Sequence, residues 1–274
     1  MALLPQWSSI PKPVVGMLHL APLPGSPRCT KDLAAILEAA LADADTLAFG
    51  GVHGLMLENF GDVPFYPGRV PAYVVAQMTF LARSVKRRFP DLPLGINVLR
   101  NDGRSALAVA HACGANFIRV NVLCGARVAD QGILRGIAHE LMRDRAGLGA
   151  RDAIKVLADV DVKHSAPLGA PRALADEVDD TIARGLADGV IVSGAGTGKG
   201  TDPHHVAAVR AAAAGRVAVF AGSGVSPDAL GALLPHADGF IVGTSLKRDG
   251  RVDNPIDVAR VRALVGAVRS PVTG

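Results

Sequence analysis

The 274-residue chain reads as an α/β protein, a single (β/α)8 TIM barrel of the phosphate-binding type. Three observations predict this. Eight short apolar runs alternate with Ala/Leu-rich helical patterns. No linker-like stretch separates them, so residues 1–274 read as one domain in which 1–12 are an N-terminal extension. Each run also ends in polar or glycine-rich residues, as barrel strands do where their loops gather around a ligand. The length fits as well, since such a barrel takes roughly 250 residues. Hydrophobic residues make up 49% and aromatics 4%. The core must therefore be aliphatic, as suits parallel strands covered by helices. A doubly wound open sheet is the alternative, but no GxGxxG dinucleotide signature follows the first strand.

The elements justify themselves in order. The first strand, VVGMLHL (14–20), carries His19 at its end and is followed by the helical pattern DLAAILEAALADADTLAFG (32–50). The second, GLMLEN (54–59), ends in Glu58 and Asn59, with Asp62 and a Pro64-Phe65 turn after it. PAYVVAQMTFLARSVKRRF (71–89) reads as the next helix. The third strand, LGINVLR (94–100), offers Asn97, Arg100, Asn101 and Asp102. The fourth, FIRVNVL (117–123), places Arg119 and Asn121 two apart and so on one face. The fifth, KVLADVDV (155–162), ends in Asp159, Asp161, Lys163 and His164. The sixth, GVIVSG (189–194), runs into SGAGTGKGTD (193–202), read as a ligand-covering loop with Ser193 and Thr197 as contacts. It misses the GxxxxGK[ST] spacing of a nucleotide-binding phosphate loop. The seventh and eighth are VAVFAGSG (217–224) and GFIVGTSL (239–246). Pro71, Pro203, Pro227 and Pro255 each fall where a helix would start.

Composition excludes several classes. The formal charge is +4, with 22 Arg against 7 Lys and 21 Asp against 4 Glu. No basic cluster is interleaved with aromatics, which argues against nucleic-acid binding. No apolar run is long enough to span a bilayer and no signal-peptide pattern opens the chain, so a soluble cytoplasmic protein is expected. Cys29, Cys113 and Cys124 are an odd set at spacings that suit neither a disulfide framework nor a zinc site.

Chemistry concentrates at the strand ends. Glu38, Glu140 and Glu177 fall in helical patterns, leaving Glu58 as the one strand-end Glu in a chain that otherwise uses Asp. A carboxylate in a partly desolvated barrel mouth is suited to acid–base work. Its bland reading is a structural Glu accepting backbone hydrogen bonds. Gly222, Ser223 and Gly224 close the seventh strand ahead of Ser226-Pro227, and Gly243, Thr244 and Ser245 close the eighth. Small residues there let amides approach a phosphate. Asp159, Lys163 and His164 join Glu58 as catalytic candidates, Lys163 supplying charge or, if desolvated, a Schiff base. Arg119 is expected to pair with Asp159 or Asp161, and Arg100 to face the ligand. No cofactor is demanded, although His19, Glu58, Asp159 and His164 are a donor set that would suit a divalent metal.

The blocks VVGMLHLAPLPGSP, LENFGDVPF, LGINVLRNDG, FIRVNV, ADVDVKHSAPL, VIVSGAGTGKGTD, FAGSGVSPD and GFIVGTSLKRDG resemble, in order, those of the BtpA family, from Lys12 to Val268. The resemblance implies a role in photosystem I biogenesis at photosynthetic membranes. Relatives in organisms without a photosystem imply a more general biochemistry. A looser likeness, to the α subunit of tryptophan synthase, implies an acid–base role for Glu58. Two readings result: an enzyme (lyase, isomerase or hydrolase) acting on a phosphorylated small molecule such as a sugar phosphate or nucleotide, or a non-catalytic assembly factor for a membrane complex. A homo-oligomer is expected, with peripheral rather than transmembrane association if a membrane is involved.

Overall fold

The computed structural model describes residues 2–194 and 200–269. Thr197 lies outside them. In chain order the elements are β1 (Val14–His19), α1 (Leu33–Gly50), β2 (Gly54–Glu58), α2 (Ala72–Arg88), β3 (Leu94–Asn97) and α3 (Gly103–Cys113). Next come β4 (Phe117–Val120), β5 (Ala126–Ala129), β6 (Gly132–Arg135), α4 (Ala138–Gly147), β7 (Lys155–Val160), β8 (Ser165–Pro167) and α5 (Leu174–Asp179). The last are β9 (Gly189–Ser193), α6 (Pro203–Ala213), β10 (Ala218–Gly222), α7 (Pro227–Leu233), β11 (Gly239–Val242) and α8 (Val258–Arg269). Strands β1, β2, β3, β4, β7, β9, β10 and β11 close into one parallel barrel, β11 pairing with β1. The remaining strands, β5, β6 and β8, rise from the loops after the fourth and fifth barrel strands and form a small antiparallel flap. The sequence patterns do not announce that flap.

Several boundaries differ from expectation for physical reasons. The third barrel strand stops at Asn97 and the fourth at Val120, because Asn101 ties their continuations together instead of a ladder: its amide bonds the Val122 backbone in both directions. Thr244–Leu246 form a 3-10 turn rather than more strand. Pro203 and Pro227 do open helices, and Pro71 stands at the N-cap of α2. Pro255, however, lies in the loop before α8, where its carbonyl accepts from Arg248 N.

Residues 2–12 are more than an extension. A 3-10 turn at Pro5–Trp7 carries Leu4 and Trp7 into the barrel's N-terminal end, where Trp7 is 1% exposed. Its ring lies 5.8 Å from Phe117 and 5.9 Å from Phe220, and its Nε1 donates to the His53 carbonyl. Space for the two Phe rings comes from neighbouring glycines: a Cβ on Gly95 would sit 2.2 Å from Phe117, and one on Gly239 2.4 Å from Phe220. The same end is stapled four times by one device. The first strand of each successive pair gives an amide to a side chain lying just before the second: Val14 to His53, Leu94 to Asn116, Val156 to Asp188 and Val219 to Asp238.

Candidate functional site

Alternation along each strand sends every second side chain inward. Met17 and Met56 are inward and apolar; two residues further on, at the other end of the barrel, stand His19 and Glu58. The ladder sets His19 beside Glu58, Glu58 beside Asn97 and Asn97 beside Arg119. One inward row across four strands is therefore polar. It is continued by Asp159 on β7 and Ser193 on β9, whose side chains bond Arg119.

The row is a hydrogen-bonded lattice. Asn97 Nδ2 donates to Glu58 Oε2 at 2.5 Å, and Glu58 Oε1 lies 3.8 Å from His19 Nε2. Arg119 grips Asp159 with two parallel bonds of 3.0 and 2.8 Å. Ser193 Oγ and Asn121 Nδ2 donate to the same carboxylate at 3.0 and 2.7 Å. Four donors on one buried carboxylate compensate its loss of water. Asp159 thus holds Arg119 in place, and its lone pairs are occupied rather than open for proton transfer. Asp161, the other expected partner of Arg119, pairs with Arg127 of the flap instead.

Over this lattice opens a cavity of about 400 Å³. His19, Glu58, Arg119 and Lys163 line it together with Ser223–Ser226 and Gly243–Ser245. The small-residue loops are built as the sequence implies. Ser226 caps α7 by accepting from Ala229 N, Pro227 opens the helix, and Ser223 and Gly224 take left-handed φ values of 61° and 65°. Ser245 Oγ ties the two loops by donating to the Val225 carbonyl. Gly222 does not reach the cavity; it remains in the wall, and its carbonyl accepts from Thr201. A Cβ at Gly243 would stand 2.6 Å from the His19 ring, so that glycine leaves room for the imidazole.

Burial shifts the titratable groups of the cavity towards their neutral forms. Burial pushes His19 down to about 4, Glu58 only partly offsetting it, so the ring is neutral near pH 7 and stacks 4.5 Å from Phe60. Burial also lowers Lys163, with Arg119 adding to the effect and Glu58 opposing it. Arg260, on α8, joins the rim and donates to the Ser245 carbonyl.

Other expected contacts are structural. Asn59 takes the Leu99 amide and donates to Asp62, whose other oxygen takes the Leu23 amide. Both face a separate, largely apolar cavity behind the end of β2: Asn59 because the residue after the inward Glu58 points outward, and Asp62 because the turn after the strand carries it there. Asp102 caps α3 and accepts from Val70 N, while Asn101 joins the Val122 and Arg135 backbones. Arg100 is 4% exposed, but its guanidinium holds the Lys163 carbonyl at 2.5 Å rather than lining the cavity. Burial lowers its pKa, Asp159 partly offsetting and Arg119 adding to the shift. His164 is exposed, with φ 57°, and does not line the cavity. Among the described residues no group of three or more His, Cys, Asp or Glu is placed to hold a metal ion. The donor set suggested by the sequence is dispersed, with Asp159 taken by Arg119 and His164 outside. The sequence reading missed Met17, Phe60, Gly200 and Arg260. Phe60 lies two residues after Glu58, and Gly200 lies within the 193–202 loop already read as covering a ligand; Arg260 lies on a helix with no distinguishing pattern.

No described helix is long and apolar enough to cross a membrane. Comparison with known proteins is consistent across nearly the whole chain. A family model described as BtpA family matches residues 10–270. The chain is 48% identical to an uncharacterised protein of Thermococcus kodakarensis, covering 93% of this chain and 94% of the other. It is 48% identical to the photosystem I biogenesis protein BtpA of a Synechocystis strain, covering 93% and 88%. Among solved structures it is similar to N-(5'-phosphoribosyl)anthranilate isomerase from Pyrococcus furiosus, with a TM-score of 0.59, 11% identity and coverage of 94% and 98%.

Proposed function

This chain belongs to the BtpA family, and from its barrel mouth we propose that it is an enzyme acting on a phosphorylated small molecule by acid–base chemistry at Glu58. One observation carries the reading: a single carboxylate, pinned through one oxygen by Asn97, lines the same cavity as two small-residue loops. The loops present backbone to a phosphate, with Arg260 beside them and Lys163 reaching them. Glu58 Oε1 would take or return the proton. Neutral His19, 3.8 Å away, would relay it. The isomerase named above acts, by its name, on a phosphoribosyl compound; at 11% identity it supports the fold, and the loops of this chain support the phosphate.

The test pairs calorimetric titration of inorganic phosphate with turnover across a panel of sugar phosphates and nucleotides. Glu58→Gln keeps shape and hydrogen bonding. It should melt near the parent temperature, bind phosphate as the parent does and lose about 10²–10⁴-fold in rate. A large fall in melting temperature with turnover intact would make Glu58 scaffolding. A second reading, an assembly factor for a membrane complex, rests on the name of the Synechocystis relative. It requires that Glu58→Gln leave assembly of such a complex untouched.

A further inference from the structure

Lys163 is placed unlike the other described lysines. Lys12 and Lys86 end on backbone carbonyls, Lys155 faces Asp188, and Lys247 is paired with Asp43 at 2.8 Å. Lys163 instead enters the mouth cavity, where Ser223 Oγ accepts from its Nζ at 2.9 Å. Among the described residues no carboxylate lies within 4.0 Å of it. Arg100 fixes its backbone carbonyl, and Arg119 lines the cavity beside it. A half-buried lysine with arginines beside it and no carboxylate in contact is an arrangement in which an amine, rather than an ammonium, becomes available. The net downward shift of its pKa, from burial and Arg119 against the upward pull of Glu58 and Asp159, agrees with this.

Resting on the reading of a phosphorylated substrate, we propose that this substrate is an aldehyde or ketone and that Lys163 forms a Schiff base with its carbonyl carbon. The ammonium's proton reaches Glu58 through solvent in the cavity, and the Nζ lone pair attacks the carbonyl carbon. The C–N bond forms and the carbonyl oxygen, taking the amine's proton, becomes the hydroxyl of a carbinolamine. Glu58 returns its proton to that hydroxyl, the C–O bond breaks, and water leaves. The product is a protonated imine, with no oxidant or reductant consumed. Its positive nitrogen then accepts the electron pair from a neighbouring C–H or C–C bond, so Glu58 moves protons in an isomerisation or a carbon–carbon cleavage.

Pyridoxal 5'-phosphate, an aldehyde bearing a phosphate, is a direct probe of such an amine. The full-length protein is incubated with it, reduced with borohydride and mapped by mass spectrometry, with exposed Lys31 as internal reference. Labelling should fall on Lys163, be suppressed by inorganic phosphate and persist to lower pH than at Lys31. Lys163→Arg should lose the imine absorbance yet still bind inorganic phosphate, as a charge without a transferable lone pair would. Labelling on exposed lysines with Lys163 unmodified, or no labelling at all, overturns the Schiff base; if the parent still binds phosphate, the acid–base reading stands. Failure of the parent to bind inorganic phosphate would instead remove the phosphate reading. Should Lys163→Arg not fold, the site and pH dependence of labelling on the parent chain decide the matter alone.

Discussion

The two ends of this barrel are built from the same strands, two residues apart, and differ in almost everything else. The inward layer nearer the N-terminal end is Met17, Met56, Phe117, Leu157, Ile191, Phe220 and Ile241, sealed by Leu4 and Trp7, with Met17 and Ile241 also reaching the mouth cavity. One step further along the inward face, the corresponding positions are His19, Glu58, Arg119, Asp159, Ser193, Gly222 and Gly243. The first layer holds the sheet together by apolar packing. The second is fixed by hydrogen bonds, and several of its members line the mouth cavity. The pleat alone separates stability from chemistry, so changes at one end should leave the other nearly untouched.

The strongest way to break this comparison is to empty the closed end. Trp7→Ala should cost about 3–5 kcal/mol, the usual range for a buried aromatic, measured by denaturant unfolding. Phosphate binding by the folded fraction should be unchanged. Coupled loss of binding would mean that the plug shapes the mouth. The next test titrates the open end. His19 is neutral when folded, with a pKa of about 4 against 6.5 in the unfolded chain. The unfolded state therefore binds more protons between these values, and stability should fall as pH drops from about 6.5 to about 4. At about 1.4 kcal/mol per pKa unit, His19 contributes roughly 3 kcal/mol of that fall. His19→Gln should flatten the unfolding free energy against pH over that window; an unchanged slope would place the ring in water.

Overpacking gives a smaller effect. Gly239→Ala drives a methyl into the Phe220 ring and should cost about 1–3 kcal/mol, with phosphate affinity intact by calorimetry. Smallest is Arg260→Ala at the rim. An exposed charge of this kind is worth about 0.2–1 kcal/mol, so phosphate affinity should weaken by no more than about fivefold, and less at high salt. A loss far above that would move the phosphate toward α8.

The barrel was legible because eight apolar runs each end abruptly in polar or small residues. Glu58 was legible because it was a strand-end Glu among Asp residues. Orientation was less so. Asn59, Asp62, Asn101 and Asp102 share the strand-end signature of true mouth residues, yet the chain turns after each strand and parity no longer tells inward from outward. Asp102 with Ser105 three residues on is the ordinary sign of a helix cap, and the cap is what formed. The flap was hidden for a similar reason: β5, β6 and β8 are short, and their pairing depends on two distant loops meeting. The N-terminal plug was invisible because a lone aromatic before the first strand has no period to reveal it.

Trp7 is the single tryptophan of the chain. Wedged between rings contributed by the fourth and seventh barrel strands, it is a built-in fluorophore whose surroundings exist only when the circle of strands is complete. Its emission therefore reports ring closure and little else. Paired with a ligand-binding signal from the opposite end, it gives two optical channels on one unmodified molecule, one reading assembly and the other reading occupancy.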